Sequence, residues 1–256
     1  MGRRFGQHFL TRKSVLDRIA EAACAPGEPL VVEIGPGKGA LTEPLLARAE
    51  RVIAIEVDPP LVHYLQQKFR DPIAEGRLTL VEDDVLKTNL GAWGPAAITG
   101  NLPYYITSPI LESVFSLGEN WRKAVFLVQA EVAARIASGP GSRDYGYLSV
   151  LAQSHAAVEV LFDVPHSAFS PPPKVESAVI SLTPRTLEQI TDRPAFLRFA
   201  SVCFRHKRKT LRNNLAAAYP KETVDRLEEG RLRAEQLGIR ELAALHKKLE
   251  LARQTI

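Results

Sequence analysis

Asn101-Leu102-Pro103-Tyr104 is the tetrapeptide in this 256-residue chain whose groups could do chemistry most directly. A residue that precedes proline is pushed out of the helical region, so the Leu102 carbonyl stays available as an acceptor. With the Asn101 side-chain oxygen it makes two acceptors close together, and Tyr104 adds a flat aromatic face. The set suits a planar base bearing an exocyclic amine: two acceptors for two N–H donors, beside a ring to stack on. Standing alone, the same four residues also describe a strand-ending turn with a core tyrosine. Their neighbours in the fold decide between the two.

A second chemical stretch is Glu33-Ile34-Gly35-Pro36-Gly37-Lys38-Gly39-Ala40. It follows a short apolar run and precedes Leu41, Leu45 and Leu46 at helical spacing, so the glycines sit on a strand-to-helix turn. There a missing Cβ lets a ligand approach the backbone, and the helix start favours an anionic group. The spacing fits two ligands. Gly35, Gly37 and Ala40 satisfy the permissive dinucleotide pattern, which points to NAD. Gly35, Gly37 and Gly39 behind acidic Glu33 instead resemble the first motif of S-adenosylmethionine-dependent methyltransferases. Glu56, closing the next apolar run, suits the ribose hydroxyls of either. Asp84, closing a third, is placed to accept from an adenine amine.

These residues need a scaffold that brings strand ends together. Strand patterns fall at 31–34, 52–57, 78–82, 97–100, 124–128, 158–164 and 178–182. Helical patterns fall between them at 42–49, 60–69, 109–117, 131–137 and 147–155, after a first one at 14–23. The alternation predicts an α/β fold with a mostly parallel sheet covered on both faces. The Pro-rich connection 165–176 has no helical pattern, so the last two strands are expected to pair antiparallel. After Pro184 only helical patterns appear, interrupted at Pro220, Gly230 and Gly238. Two domains are expected, 1–184 and a small all-α domain over 185–256.

Composition narrows the partners. Residues 186–256 carry 15 Lys and Arg against 9 Asp and Glu, an asymmetry that suits a polyanion. Arg205, Lys207, Arg208, Lys209 and Arg212 are the candidates for phosphate contacts. No apolar run approaches the ~20 residues that cross a bilayer, and no apolar leader follows the first arginines. The 2 cysteines, Cys24 and Cys203, and the 6 histidines show no metal-ligand spacing. A cytoplasmic, monomeric protein without metal or membrane contact is the expectation.

Further segments carry a family resemblance. Asn101-Leu102-Pro103-Tyr104 has the form of the fourth motif of adenine N6-methyltransferases. Phe5-Gly6-Gln7-His8-Phe9-Leu10, Phe169-Ser170-Pro171-Pro172-Pro173-Lys174-Val175-Glu176-Ser177 and Arg208-Lys209-Thr210-Leu211-Arg212-Asn213-Asn214-Leu215 match one group of them. Together with the glycine loop, in order across nearly the whole chain, they resemble the small-subunit ribosomal RNA adenine N6-dimethyltransferase family. The resemblance implies a Rossmann-like seven-stranded methyltransferase fold with one antiparallel strand, S-adenosyl-L-methionine as cofactor, and 16S rRNA in the small ribosomal subunit as partner. By position it makes Gln7, His8 and Leu10 part of a lid, and Glu33, Gly35, Gly37 and Gly39 the contact to the methionine end. Glu56 is then the ribose ligand and Asp84 the ligand of the cofactor adenine. Asn101, Leu102, Pro103 and Tyr104 hold the target base, with Phe169 on its other face, and Asn101 also borders the cofactor. His8 stands where asparagine is usual, and Glu176 where aspartate is common. Two other readings stay open here. One is a large-subunit methylase of the macrolide-resistance type; the other is an assembly factor that binds without turnover.

Overall fold

The computed structural model describes residues 8–254, so Gln7 lies outside the described residues. Its strands are β1 (Phe9–Leu10), β2 (Val31–Ile34), β3 (Val52–Glu56), β4 (Leu78–Glu82), β5 (Ala96–Asn101), β6 (Trp121–Gln129), β7 (Ala156–Val164), β8 (Phe169–Ser170) and β9 (Ser177–Pro184). Seven of them form one sheet in the order β4-β3-β2-β5-β6-β9-β7. From β4 through β6 neighbours pair parallel, and β9 runs antiparallel to β6. This is the expected Rossmann-like α/β sheet, with β9 as its antiparallel strand.

Parallel strands need crossovers, and helices Thr42–Leu46, Pro59–Lys68 and Thr107–Phe115 supply three of them. Covered on both faces, the central strands are apolar throughout: Val31, Val32, Ile53 and Ala54 are fully buried. The crossovers return every parallel strand in the same direction, so their C-terminal ends share one edge. Register then sets the neighbours at that edge, with Ile34 opposite Ile55 on one side and Gly100 on the other.

Two glycines are demanded by packing at this edge. A Cβ on Gly100 would stand 2.3 Å from the Ile34 carbonyl oxygen, so β5 reaches β2 this closely only because the residue is glycine. Gly39 has φ +73°, and a Cβ there would stand 2.3 Å from the Phe69 ring. Gly39 therefore seats the helix Pro59–Lys68 and its terminal Phe69 against the loop.

By contacts the chain divides into two units, one running through Ala133 and including Val158–Pro184, the other Ala134–Ala157 with the chain after Pro184. The expected boundary at 184 is therefore incomplete, because 134–157 joins the helical unit. The reason is packing: Tyr145 and Val150 share an apolar cluster with Phe196, Phe199, Leu215 and Leu242. Both cysteines are free and buried, and burial raises their thiols, which leaves them unreactive.

Gly39→Ala should lower the unfolding free energy by about 1–3 kcal/mol through strain and overpacking, read as a drop in the urea midpoint at constant slope. An unchanged midpoint would show that the loop and Phe69 yield freely.

Candidate active site

At the shared edge, β2 gives way to a loop whose Gly35, Gly37 and Gly39 all have positive φ, which residues with a Cβ rarely adopt. The Gly37 N–H donates to Glu56 Oε2 at 3.0 Å, tying the loop to the end of β3. Glu56 Oε1 accepts from the Val57 and Asp58 N–H groups at 3.0 and 3.1 Å. Three backbone donors thus fix this buried carboxylate; Oε1 is filled by two of them, and Oε2 keeps acceptor capacity for a further donor. Burial raises the Glu56 carboxyl, while the backbone donors pull it back.

Glu33 on β2 is 1% exposed and accepts from the Thr42 hydroxyl at 2.6 Å. Burial pushes its carboxyl up to about 8, with the Thr42 bond opposing the rise. Beyond β4, Asp83 accepts from the Asp84 N–H and the Thr88 hydroxyl, and Asp84 Oδ1 accepts from the Leu86 N–H at 3.0 Å. The acid at the third strand end is therefore held by its own turn.

Asn101 closes β5. Its Nδ2 donates to the His8 carbonyl at 3.1 Å, which leaves Oδ1 as an acceptor with no partner among the described residues. The Leu102 N–H donates to the Leu127 carbonyl, while the Leu102 carbonyl accepts no described backbone N–H. Tyr104 hydrogen-bonds through its hydroxyl to Ser177 at 2.8 Å, which fixes the ring, and burial raises its phenol.

The N-terminal segment is clipped over this edge. β1 pairs antiparallel with β8, Leu10 opposite Phe169 and Phe9 opposite Ser170. The His8 ring Nδ1 bonds the Pro171 carbonyl at 2.8 Å, which requires a proton on that nitrogen. Phe9 lies across Gly37, where a Cβ would stand 3.0 Å from its ring, and the Lys38 ammonium sits over the same ring.

These groups line a single cavity of about 710 Å³. Its wall takes in Glu33, Gly35, Gly37, Glu56 and Asp84, and beside them Asn101, Leu102, Pro103 and Tyr104. His8 and Leu10 complete it from the N-terminal segment. The size falls within the range for nucleotide-sized ligands. Two expected residues are elsewhere. Gly39 faces Phe69 instead of the cavity. Phe169, paired with Leu10, is 4% exposed in an apolar cluster with Leu16 and Ile19. Gly100 was missed by sequence reasoning, although a glycine inside a strand signals close backbone approach.

The family model described as ribosomal RNA adenine dimethylase matches residues 1–247. The chain belongs to the ribosomal RNA adenine dimethylase family. Among curated relatives, the ribosomal RNA small subunit methyltransferase A of Acidobacterium capsulatum is 46% identical over 96% of this chain and 90% of its own length. The protein of the same name from Chlorobium chlorochromatii is 40% identical, over 95% of this chain and 91% of its own. A crystal structure of a dimethyladenosine transferase from Plasmodium falciparum superposes with TM-score 0.81 at 27% identity, covering 97% of this chain and 98% of that one. The 23S rRNA methyltransferase ErmE does so with TM-score 0.70 at 26% identity, covering 94% and 99%. Family membership makes the chain an adenine methyltransferase of ribosomal RNA and accounts for the order of its motifs.

In the helical unit, helix Arg193–Cys203 ends in an exposed turn bearing Arg205, Lys207, Arg208 and Lys209. Asn214 staples this turn, its amide donating to the Cys203 and His206 carbonyls at 2.8 and 3.2 Å. Arg212 is drawn away into an ion pair with Asp225 at 2.7 Å. Lys207 and Arg208 instead join Arg143 and Arg233 around a cleft of about 350 Å³ that also holds Glu235. Neither Arg143 nor Arg233 stands in a basic run, so the sequence carries no local signal for them.

The raised Glu33 carboxyl has a consequence for the ligand-free protein. Below pH 4.5 both states are protonated; from 4.5 to about 8 only the unfolded state ionises, which draws the equilibrium toward unfolding. Stability should therefore fall across that window, by up to about 1.4 kcal/mol per pH unit from this group. Urea midpoints at pH 5.5 and 7.5 should drop more for wild type than for Glu33→Gln; equal drops would place the Glu33 proton elsewhere.

Proposed function

We propose that this chain uses S-adenosyl-L-methionine to dimethylate the N6 amines of two adjacent adenines in a hairpin loop near the 3′ end of 16S rRNA, in small-subunit maturation. The observation that carries this reading is the setting of Asn101. Its NH2 is committed to the His8 carbonyl, so Oδ1 stands as an acceptor beside the Leu102 carbonyl and the Tyr104 ring on one cavity wall. The name shared by the curated relatives supports the small subunit as the target.

The residues fit the cofactor. Gly35 leaves room against the backbone for the methionine end, Gly37 borders it under the Phe9 ring, and Glu33 supplies a carboxyl beside it. Glu56, oriented by three backbone donors, suits the ribose hydroxyls, and Asp84 suits the adenine amine. When bound, the cofactor supplies an electrophilic methyl group on its sulfonium.

The target N6 is a poor nucleophile because its lone pair is delocalised into the ring. Asn101 Oδ1 and the Leu102 carbonyl, each accepting one N–H, localise that lone pair and aim it. Alignment of this kind contributes several kcal/mol, up to about 7–11 in the best cases. The negative ends of both dipoles also stabilise the positive charge that develops on nitrogen. The alkylated amine is acidic enough to lose its proton to water, so no side-chain base is required. After one methyl group, N6 retains one N–H, and the second transfer proceeds with one of the two acceptors unpaired. The base must be unstacked to reach the wall, as in a loop, and Arg205, Lys207, Arg208 and Lys209 with Arg143 and Arg233 supply phosphate contacts.

Tritiated S-adenosylmethionine with small subunits lacking adenine dimethylation tests the reading. Mass spectrometry should find N6,N6-dimethyladenosine at two adjacent positions, with Asn101→Ala slower by about 10²–10³-fold. Incorporation into large-subunit RNA alone would overturn it in favour of a resistance-type methylase. Salt dependence tests the basic cleft: Arg208→Ala and Arg233→Ala should each weaken RNA binding and reduce the slope of log K on log salt by roughly 1. Slopes equal to wild type would remove those residues from the interface.

A further inference from the structure

Tyr105 directly follows the base-binding tetrapeptide, and the two tyrosines have opposite surroundings. Both belong to the short 3-10 turn Tyr104–Ile106, in which successive side chains leave about 120° apart. Tyr104 is held inward by its bond to Ser177. Tyr105 is 69% exposed yet lies on the rim of the same cavity. No described hydrogen bond, ion pair or ring contact engages it. A large aromatic ring left this open gains nothing from the fold.

We infer that the Tyr105 ring is the stacking platform for the nucleotide next to the one held by Asn101. The inference rests on the proposed adenine dimethylation of adjacent bases. A base that enters the cavity leaves its stack, which bares the face of its neighbour to water. An exposed tyrosine at the cavity rim offers that face a replacement, at low entropy cost because only two side-chain torsions are fixed. With two adjacent adenines as substrates, the platform holds one while the other reacts, and the pair exchanges places between rounds. The platform recognises a flat π-face and not hydrogen-bonding edges, so it accepts the neighbouring base whether unmethylated or dimethylated.

Steady-state kinetics on small subunits lacking dimethylation test this, with Tyr105→Ala, Tyr105→Phe and Tyr105→Trp. Stacking on an aromatic side chain corresponds to about a 5- to 150-fold change in affinity. Tyr105→Ala should raise KM for the subunit by a factor in that range, with kcat moving less. Phe and Trp should restore KM, since the ring and not the hydroxyl makes the contact. The Kd for S-adenosylmethionine and the melting temperature should stay at wild-type values, which separates lost stacking from a disturbed cavity. Wild-type KM in Tyr105→Ala, or failure of Phe and Trp to rescue, overturns the platform while leaving the methyl-transfer reading intact. If wild type methylates no small-subunit adenine, that reading fails, and the platform falls with it.

Discussion

The cavity depends on how closely β5 can approach β2. At Gly100 no side chain is possible, because a Cβ would meet the Ile34 carbonyl at 2.3 Å. That approach sets Asn101 one residue past the end of β2, on the same edge as the glycine loop. Any larger residue would push the strands apart and carry the two acceptors away from the loop. The parallel sheet does the rest, since it delivers Glu56 and Asp84 to the same edge from their own strands. Donors and acceptors gathered from four strands thus need no long loop to hold them.

A second layer of order comes from the N-terminal segment. Sheet pairing through Leu10 and Phe169, the His8 ring on Pro171, and Asn101 on the His8 carbonyl link three stretches far apart in sequence. Each link uses a main-chain group on at least one side. The segment therefore helps shape the cavity wall at Asn101 as well as lining the cavity: it decides which end of the Asn101 amide points where. The explanation for Phe169 follows from the same pairing. It is buried with Leu10 in the apolar cluster, while Tyr104 lines the cavity beside Asn101.

Much of this was legible in the sequence. The apolar runs at Val31–Ile34 and Leu78–Glu82 and the helical spacing at Tyr147–His155 coincide with the elements observed, because continuous burial and a 3.6-residue period leave plain patterns. β1 and β8 left none, being two residues each and defined only by one another. Helix membership was hidden for a similar reason: the pattern at 147–155 shows an apolar face but not which core receives it. The glycine loop shows the same limit at finer scale. Spacing marks Gly35, Gly37 and Gly39 alike, yet two line the cavity and the third makes room for Phe69. Arg143 and Arg233 meet Lys207 and Arg208 only through the tertiary fold.

The bond between Asn101 and the His8 carbonyl bears on how such a site drifts over generations. The acceptor is part of the peptide unit, so replacing the side chain at position 8 leaves it in place. Histidine at this position is thereby neutral toward Asn101, and the ring is free to take up its own bond to Pro171. Inserting or deleting one residue between position 8 and the Leu10–Phe169 pair is a different matter, since it shifts the carbonyl by a whole register step. At this end of the chain the bond constrains spacing more than letters.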